Sequence, residues 1–366
     1  MECRGTVLYK TIFSAVLLCL CMENAVFAGG KKDSAGRTSR KRDEAKDASD
    51  VSYDINYNYL EPKGEKIKAD EVWAYVMTGR EKFFSPDMPI TDLCYFSADI
   101  NSYGEITEIP SASFFKDYTG RKHLVITCTG RALTHLSLEP DFKVREKIIE
   151  TIADASKDYD GVQIDFENVP ARDADNFLTF LSDTKKAVGD GKIFSVALPA
   201  RMKKISDDIY NYEKIHPLVD KVIIMAYDEH WSGSKPGSVA SMEWCNKIVD
   251  YSKSVIPEGK LVMGLPFYGR SWQEEGYSSA WIFSSVNRIM NQNKITVVER
   301  SEDSVPMFTA TIPVKVTMYF EDAYSLVFRT RVYEEKGITS FAFWRVGQED
   351  TAYWNWLEIK SSDTDQ

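Results

Sequence analysis

Apolar, β-branched and aromatic residues fall in eight short runs along the chain: EVWAYVM (71–77), TDLCYFSAD (91–99), KHLVITCTG (122–130), DGVQIDFE (160–167), KIFSVALPA (192–200), DKVIIMAYDEH (220–230), KLVMGLPFYGR (260–270) and GITSFAFWRVG (337–347). Runs of this length and composition predict strands. Helical spacing intervenes, as at Val144, Ile148, Ile149 and Ile152 before the fourth run and at Phe177, Leu181 and Val188 after it. Strands that alternate with helices pair in parallel, and eight such units close into an α/β (β/α)8 barrel, a TIM barrel. The interval 271–318 is too long for one helix and holds strand-like pieces of its own, so a small inserted subdomain is expected after the seventh strand.

In such a barrel the chemistry sits at the C-terminal ends of the strands. The fourth run breaks its apolar character with Asp160, Gln163, Asp165 and Glu167. Alternation along a strand puts Gln163, Asp165 and Glu167 on the inward face and Val162, Ile164 and Phe166 toward the helices. A lone acid at a strand end is ordinarily a cap or a salt bridge. Three polar groups stacked inward need a compensating use, because close carboxylates raise each other's pKa. A Glu167 held protonated beside Asp165 could serve as a general acid, as glycoside cleavage requires. A second carboxylate motif across the barrel is not evident, although Asp228 and Asp99 end the sixth and second strands. That pattern points to a substrate whose own N-acetyl oxygen attacks.

Two segments precede the barrel. Arg4 and Lys10 precede the apolar run TIFSAVLLCLCM, and Val26-Phe27-Ala28 comes just before Gly29, so residues 1–28 read as a signal peptide and the protein as exported: secreted, periplasmic or envelope-associated. Residues 29–66 read as a polar, disordered tether and the approach to a domain spanning 67–360, since 29–50 lacks any aromatic or β-branched apolar residue. The net charge of −10 argues against a nucleic-acid partner. Cys94, Cys128 and Cys245 are the cysteines beyond the leader, an odd number without metal-ligand spacing, and Cys94 and Cys128, inside apolar strand-like runs, suit buried packing better than a disulfide. His123, His135, His216 and His230 have no metal-ligand spacing, and neither a metal nor another cofactor is expected.

DGVQIDFE resembles the catalytic strand of glycoside hydrolase family 18, the chitinase family, whose pattern is DGxDxDxE. MAYD (225–228), GLPFYGRSW (264–272) and FAFWRVG (341–347) resemble its sixth-, seventh- and eighth-strand motifs in the same order. MAYDEHW with GSKPGSVAS, YDGVQIDFENV and FWRVGQED is most similar to the branch holding spore cortex-lytic and other peptidoglycan N-acetylglucosaminidases. That branch commonly carries LysM repeats, and none is visible here.

The resemblance implies roles. Glu167 would protonate the glycosidic oxygen, Asp165 would orient the N-acetyl group, and Tyr227 would hydrogen-bond its oxygen. Met225, Asp228, Tyr268, Arg270 and Trp344 would contact the sugar or line its site, with Trp344 as the floor. Asp160 and Gln163 complete the implied binding set. By strand parity Asp160 should instead be structural support, and Gln163, where the family usually has Asp, is expected to donate a hydrogen bond to Asp165 and leave it ionised to lower pH. Trp231, Trp272 and Tyr75 are candidate sugar platforms and Arg345 a candidate cleft residue. The expected partner is a glycan containing N-acetylglucosamine, peptidoglycan before chitin. A lectin-like protein on the same barrel is the alternative, and the presence of the acid Glu167 weighs against it. An unrelated phosphate-binding barrel would need a Gly-rich loop that this chain lacks.

Overall fold

The computed structural model describes residues 55–274, 278–311 and 315–360, so the expected signal peptide and residues 29–54 of the expected tether lie outside the described residues. Eight parallel strands close into a barrel: β1 (Glu71–Met77), β2 (Asp92–Ile100), β3 (Arg121–Cys128), β4 (Gly161–Phe166), β5 (Ile193–Pro199), β6 (Lys221–Met225), β7 (Leu261–Pro266) and β8 (Ser340–Trp344). Closure comes from β1, which pairs with β2 through Tyr75↔Cys94 and with β8 through Trp73↔Ala342. Strands buried on both faces become nearly continuous apolar runs, and all six residues of β4 are buried.

The outer layer forms because each helix turns one apolar stripe toward the strands. In α1 (Val144–Ala155) Ile148 and Ile152 are buried, and in α2 (Ala174–Val188) Phe177, Phe180 and Leu181 are buried. Val162, Ile164 and Phe166 join this outer core, with the Phe166 ring stacked 5.0 Å from Phe180 and 6.3 Å from Phe177. Burying each such ring contributes about 1.5–3 kcal/mol. A second cluster fills the barrel itself: Trp73, Tyr75, Cys94, Val125, Ile223, Val262 and Ala342. Cys94, Cys128 and Cys245 are buried and free.

After β7 the chain leaves the barrel for a five-stranded sheet in the order 278–282, 268–273, 315–319, 306–311, 299–300, and α3 (Phe283–Gln292) packs with it. Its core holds Phe283, Val286, Met290, Val298, Phe308, Met318 and Phe320. Tyr57 belongs to the same core, so the expected tether is corrected at its end: residues 55–60 dock on the insert. Asn58 donates from Nδ2 to the Val298 carbonyl at 3.1 Å and accepts the Val298 amide at 2.7 Å. The Tyr59 hydroxyl donates to Asp350 at 2.5 Å. Composition averaged over 29–66 hides this, because the ordering contacts come from a few aromatic and amide residues near its end.

Candidate active site

The register brings the polar residues of β4 to successive levels inside the barrel. Gln163 sits beside Val125 and Ser195, and Asp165 one level higher beside Thr127. At the next level Glu167 follows the last residue of the strand, its amide donating to the Cys128 carbonyl at 2.9 Å. Asn168 then turns the chain in the left-handed region at φ 59°, a conformation its residue type tolerates. Its side-chain amide holds the turn by donating to the Thr129 carbonyl at 3.0 Å.

Two buried oxygens here lack a hydrogen-bond partner among the described residues: Oδ1 of Asp165 and Oε2 of Glu167. Burial, followed by the charges of Asp165 and Asp228, raises the Glu167 pKa far above the ordinary carboxylate range. Burial, followed by Asp99, raises that of Asp165. Tyr227 is kept in its neutral phenol form by burial and then by Asp165, Glu167 and Asp228. The arrangement therefore supplies a proton-bearing carboxylic acid, a second carboxyl ready to ionise against positive charge, and a phenolic donor. Gly264 of β7 leaves room for the Tyr227 ring: a Cβ there would lie 3.2 Å from the ring and 2.7 Å from the Ile224 carbonyl oxygen.

Several expected roles are corrected by these positions. Gln163 does not reach Asp165; its Oε1 accepts the Tyr75 hydroxyl at 2.7 Å and its Nε2 donates to the Ser195 hydroxyl at 3.2 Å. A primary amide can do both at once, which a carboxylate cannot. The lower pKa expected for Asp165 is accordingly not found, since the Asp99 charge remains and no donor offsets burial. Asp160 is not in the site at all: it precedes β4 at the opposite end of the barrel, where its Oδ2 accepts the Lys122 amide at 2.8 Å. It is structural, as parity predicts.

The aromatic and basic candidates divide in the same way. Asp228, at φ 62°, accepts the Tyr268 hydroxyl at 2.7 Å and Arg270 at 2.9 Å. Tyr268 and Trp272 are buried, so they hold neighbours rather than offer faces, and the Trp272 indole donates to the Trp231 carbonyl at 3.3 Å. Tyr75 is likewise buried inside the barrel. Trp344 and Trp231 are half-buried, and Trp344 rests on Tyr75 and Phe96 at ring distances of 5.4 and 4.8 Å. Met225, half-buried at the end of β6, pairs with Pro199 beside the strand ends. The Arg345 amide donates to Gln348 at 3.2 Å, anchoring the turn after β8.

Sequence reasoning missed two features. An open cavity of about 450 Å³ lies on the connections after β3 and β4, lined by Arg131, Ala132, Pro170, Ala171 and Arg172. Nearby, donor atoms of His135, Glu139 and Asp173 lie within 4.8 Å of one another, a set that could hold a metal ion. His135 Nδ1 already meets Asp173 at 2.9 Å, and Asn176 donates to Glu139 and Asp173, so hydrogen bonds account for the cluster. Neither feature leaves a periodic signal, because both lie on loops and helix ends.

The model of glycosyl hydrolases family 18 matches residues 137–349, more than half of the chain. The chain is 30% identical over 220 residues to the putative sporulation-specific glycosylase YdhD of Bacillus subtilis (strain 168), covering 55% of this chain and 51% of that protein. It is 26% identical over 295 residues to the cortical fragment-lytic enzyme of Bacillus anthracis, covering 73% and 67%. It thus spans about half the length of the first of these relatives. Its fold matches that of the Bacillus cereus spore cortex-lytic enzyme SleL with a TM-score of 0.72 at 22% identity, over 82% of this chain and 76% of that one. With its barrel, its strand-end motifs and this match, the chain belongs to family 18 of the glycosyl hydrolases.

Proposed function

We propose that this protein is an exported glycoside hydrolase that cleaves β-1,4-linked N-acetylglucosamine glycans with retention of configuration, peptidoglycan in preference to chitin. The observation that carries the proposal is the pair of buried oxygens without a partner on Asp165 and Glu167, at the C-terminal end of β4, with both pKa values raised. In the first step Glu167 gives its proton to the glycosidic oxygen while the acetamido oxygen of the substrate bonds to the anomeric carbon, and the C–O bond breaks. The cyclic oxazolinium cation that forms pulls Asp165 into its ionised state, reversing the cost of burying that charge. Tyr227 donates to the acetamido oxygen and Trp344 carries the apolar face of the sugar. Water then attacks the anomeric carbon, Glu167 takes its proton, and the ring opens with the original configuration restored.

The acetamido group is preferred as nucleophile because the other nearby acids are occupied. Asp228 is held by Tyr268 and Arg270, and Asp99 accepts the Thr127 hydroxyl at 2.6 Å. The preference for peptidoglycan is drawn from the spore glycosylase and cortical fragment-lytic relatives. Product analysis on purified peptidoglycan and on chitin oligomers tests the reading: reducing ends on N-acetylglucosamine and inhibition by an oxazoline mimic are expected. Turnover of de-acetylated substrate through a trapped enzyme ester would refute it. Export is tested by sequencing the mature N-terminus, expected at Gly29.

A further inference from the structure

We infer that the cavity between Arg131 and Arg172 is a binding site for a carboxylate on the glycan, the feature that separates a muramyl-containing strand from neutral chitin. The inference rests on the hydrolase reading above and names the part of the substrate that this site takes.

The cavity lies on the connections that follow β3 and β4, and the second of these begins with Glu167. One wall is the start of the helix Arg131–Leu138, whose Thr134 hydroxyl donates to the Glu167 carbonyl at 3.3 Å. The other is Pro170–Arg172, on the same connection as Glu167. Both walls emerge from strand ends on the face where Asp165 and Glu167 sit, so a glycan spanning the acids meets this cavity without leaving that face.

Its charge is cationic. Arg131 and Arg172 are both exposed, and Arg131 pairs with no acid among the described residues. Asp173, the acid closest to Arg172 in sequence, is fully buried and turned toward His135, with Arg172 Nε at 3.9 Å from its Oδ2. The helix start adds to the positive field: Gly130 precedes Arg131 without a side-chain cap, so the partial positive charge of the helix N-terminus is not offset by a capping oxygen. A guanidinium pair suits a carboxylate, which it can grip with two parallel hydrogen bonds.

The chain as a whole carries a net charge of −10. An acidic protein repels an anionic polymer at long range, so a bound anionic strand needs a local site of the opposite sign near the cleavage point. Chitin carries no carboxylate. A muramyl residue carries one on its lactyl ether when free of peptide, and stem peptides carry others. The cavity of about 450 Å³ is large enough for either group.

The test uses the full chain and three glycans of equal length: peptide-free GlcNAc–MurNAc strands, the same strands with the lactyl carboxyl reduced to an alcohol, and chito-oligosaccharide. A peptide-bearing strand is the fourth arm. Arg131→Glu with Arg172→Glu should raise KM for the carboxylated strands by about tenfold or more, and kcat/KM for the reduced strand and chito-oligosaccharide should stay within about twofold. Added salt should weaken the parent's binding to carboxylated strands and to no other. A loss confined to the peptide-bearing strand assigns the cavity to a stem-peptide acid, and a loss on the peptide-free strand assigns it to the lactyl group. Equal losses on reduced and carboxylated strands, or no loss on either, would overturn the inference. Binding measured by calorimetry reads the arginines without turnover, so cleavage of no glycan by the parent refutes the hydrolase reading alone, and failure of the parent to prefer carboxylated strands in calorimetry refutes this one.

Discussion

The two mouths of the barrel bury charge in opposite ways. At the N-terminal mouth, among the described residues, the buried Asp92 and the half-buried Glu71 are both partnered: Asp92 accepts Arg121 at 2.6 and 2.5 Å and His123 at 2.7 Å, and Glu71 meets Arg121 at 3.1 Å and Lys221 at 2.8 Å. The His123 ring lies tilted at 37° against Trp73, with centroids 4.4 Å apart, and packs on Gly161, where any Cβ would fall 2.3 Å from Nδ1. At the C-terminal mouth Asp165 and Glu167 each keep an oxygen without a partner. Hydrogen bonds from His123 and Arg121 outweigh burial and hold the Asp92 pKa down, whereas burial dominates at Glu167 and pushes it up. A paired buried acid closes a core, and an unpaired one stores the electrostatic strain that chemistry can use.

The sharpest break of that contrast is Glu167→Gln, which should lower kcat by roughly 10²–10⁴-fold while leaving thermal stability unchanged or higher, as read by a melting curve beside a reducing-end assay. At the other mouth Asp92→Ala should do the reverse. Because Arg121 is partly solvated, a loss of about 3 kcal/mol is expected in urea unfolding, with kcat per folded molecule close to the parent's. Gln163→Asp, which places a carboxylate beneath Asp165 and removes the donor to Ser195, should destabilise the protein by about 1–3 kcal/mol at neutral pH. It should also move the acidic limb of the rate profile upward, because a second carboxylate makes protons harder to remove from the cluster. An unmoved limb would show that this level of the barrel does not communicate with Asp165.

The smallest effect is a pH slope with opposite signs at the two mouths. Glu167 and Asp165 bind protons more tightly in the folded state, so their contribution to stability is fully present below the ordinary carboxylate range and is lost as pH rises through their raised values. Asp92 contributes stability above that range, lost as pH falls through its depressed value. The double variant Asp165→Asn, Glu167→Gln should flatten the alkaline side of the stability curve and leave the acidic side alone. A curve changed on the acidic side instead would put the shifted groups at the wrong mouth.

The barrel was legible because its strands are buried on both faces and its helices on one, so periods of two and of 3.6 survive in the sequence. The same alternation gave the faces of Gln163, Asp165 and Phe166. It could not give partners, since the hydroxyl that claims Gln163 belongs to Tyr75, 88 residues away and across the barrel. Aromatic type alone misdirected the reading of Tyr268 and Trp272, which are buried and meet Asp228 and the Trp231 carbonyl on the connection after β6, some 40 residues away in sequence. Arg131 and Arg172 carry no period, and only the meeting of two loops makes them neighbours. The docking of residues 55–60 escaped because polarity was averaged over a stretch whose last residues differ from its first.

That docking sets the path of mechanical load through the molecule. A force that enters at residue 55 reaches the two opposed bonds between Asn58 and Val298 and the Tyr57 ring before it reaches the first barrel strand. These bonds act as a sacrificial clasp: the insert would peel from residues 55–60 while the closed ring of eight strands stayed under no tension. For a pull that enters at residue 55, the contacts of Tyr57 and Asn58 with the insert carry the load first, and the barrel takes it after them.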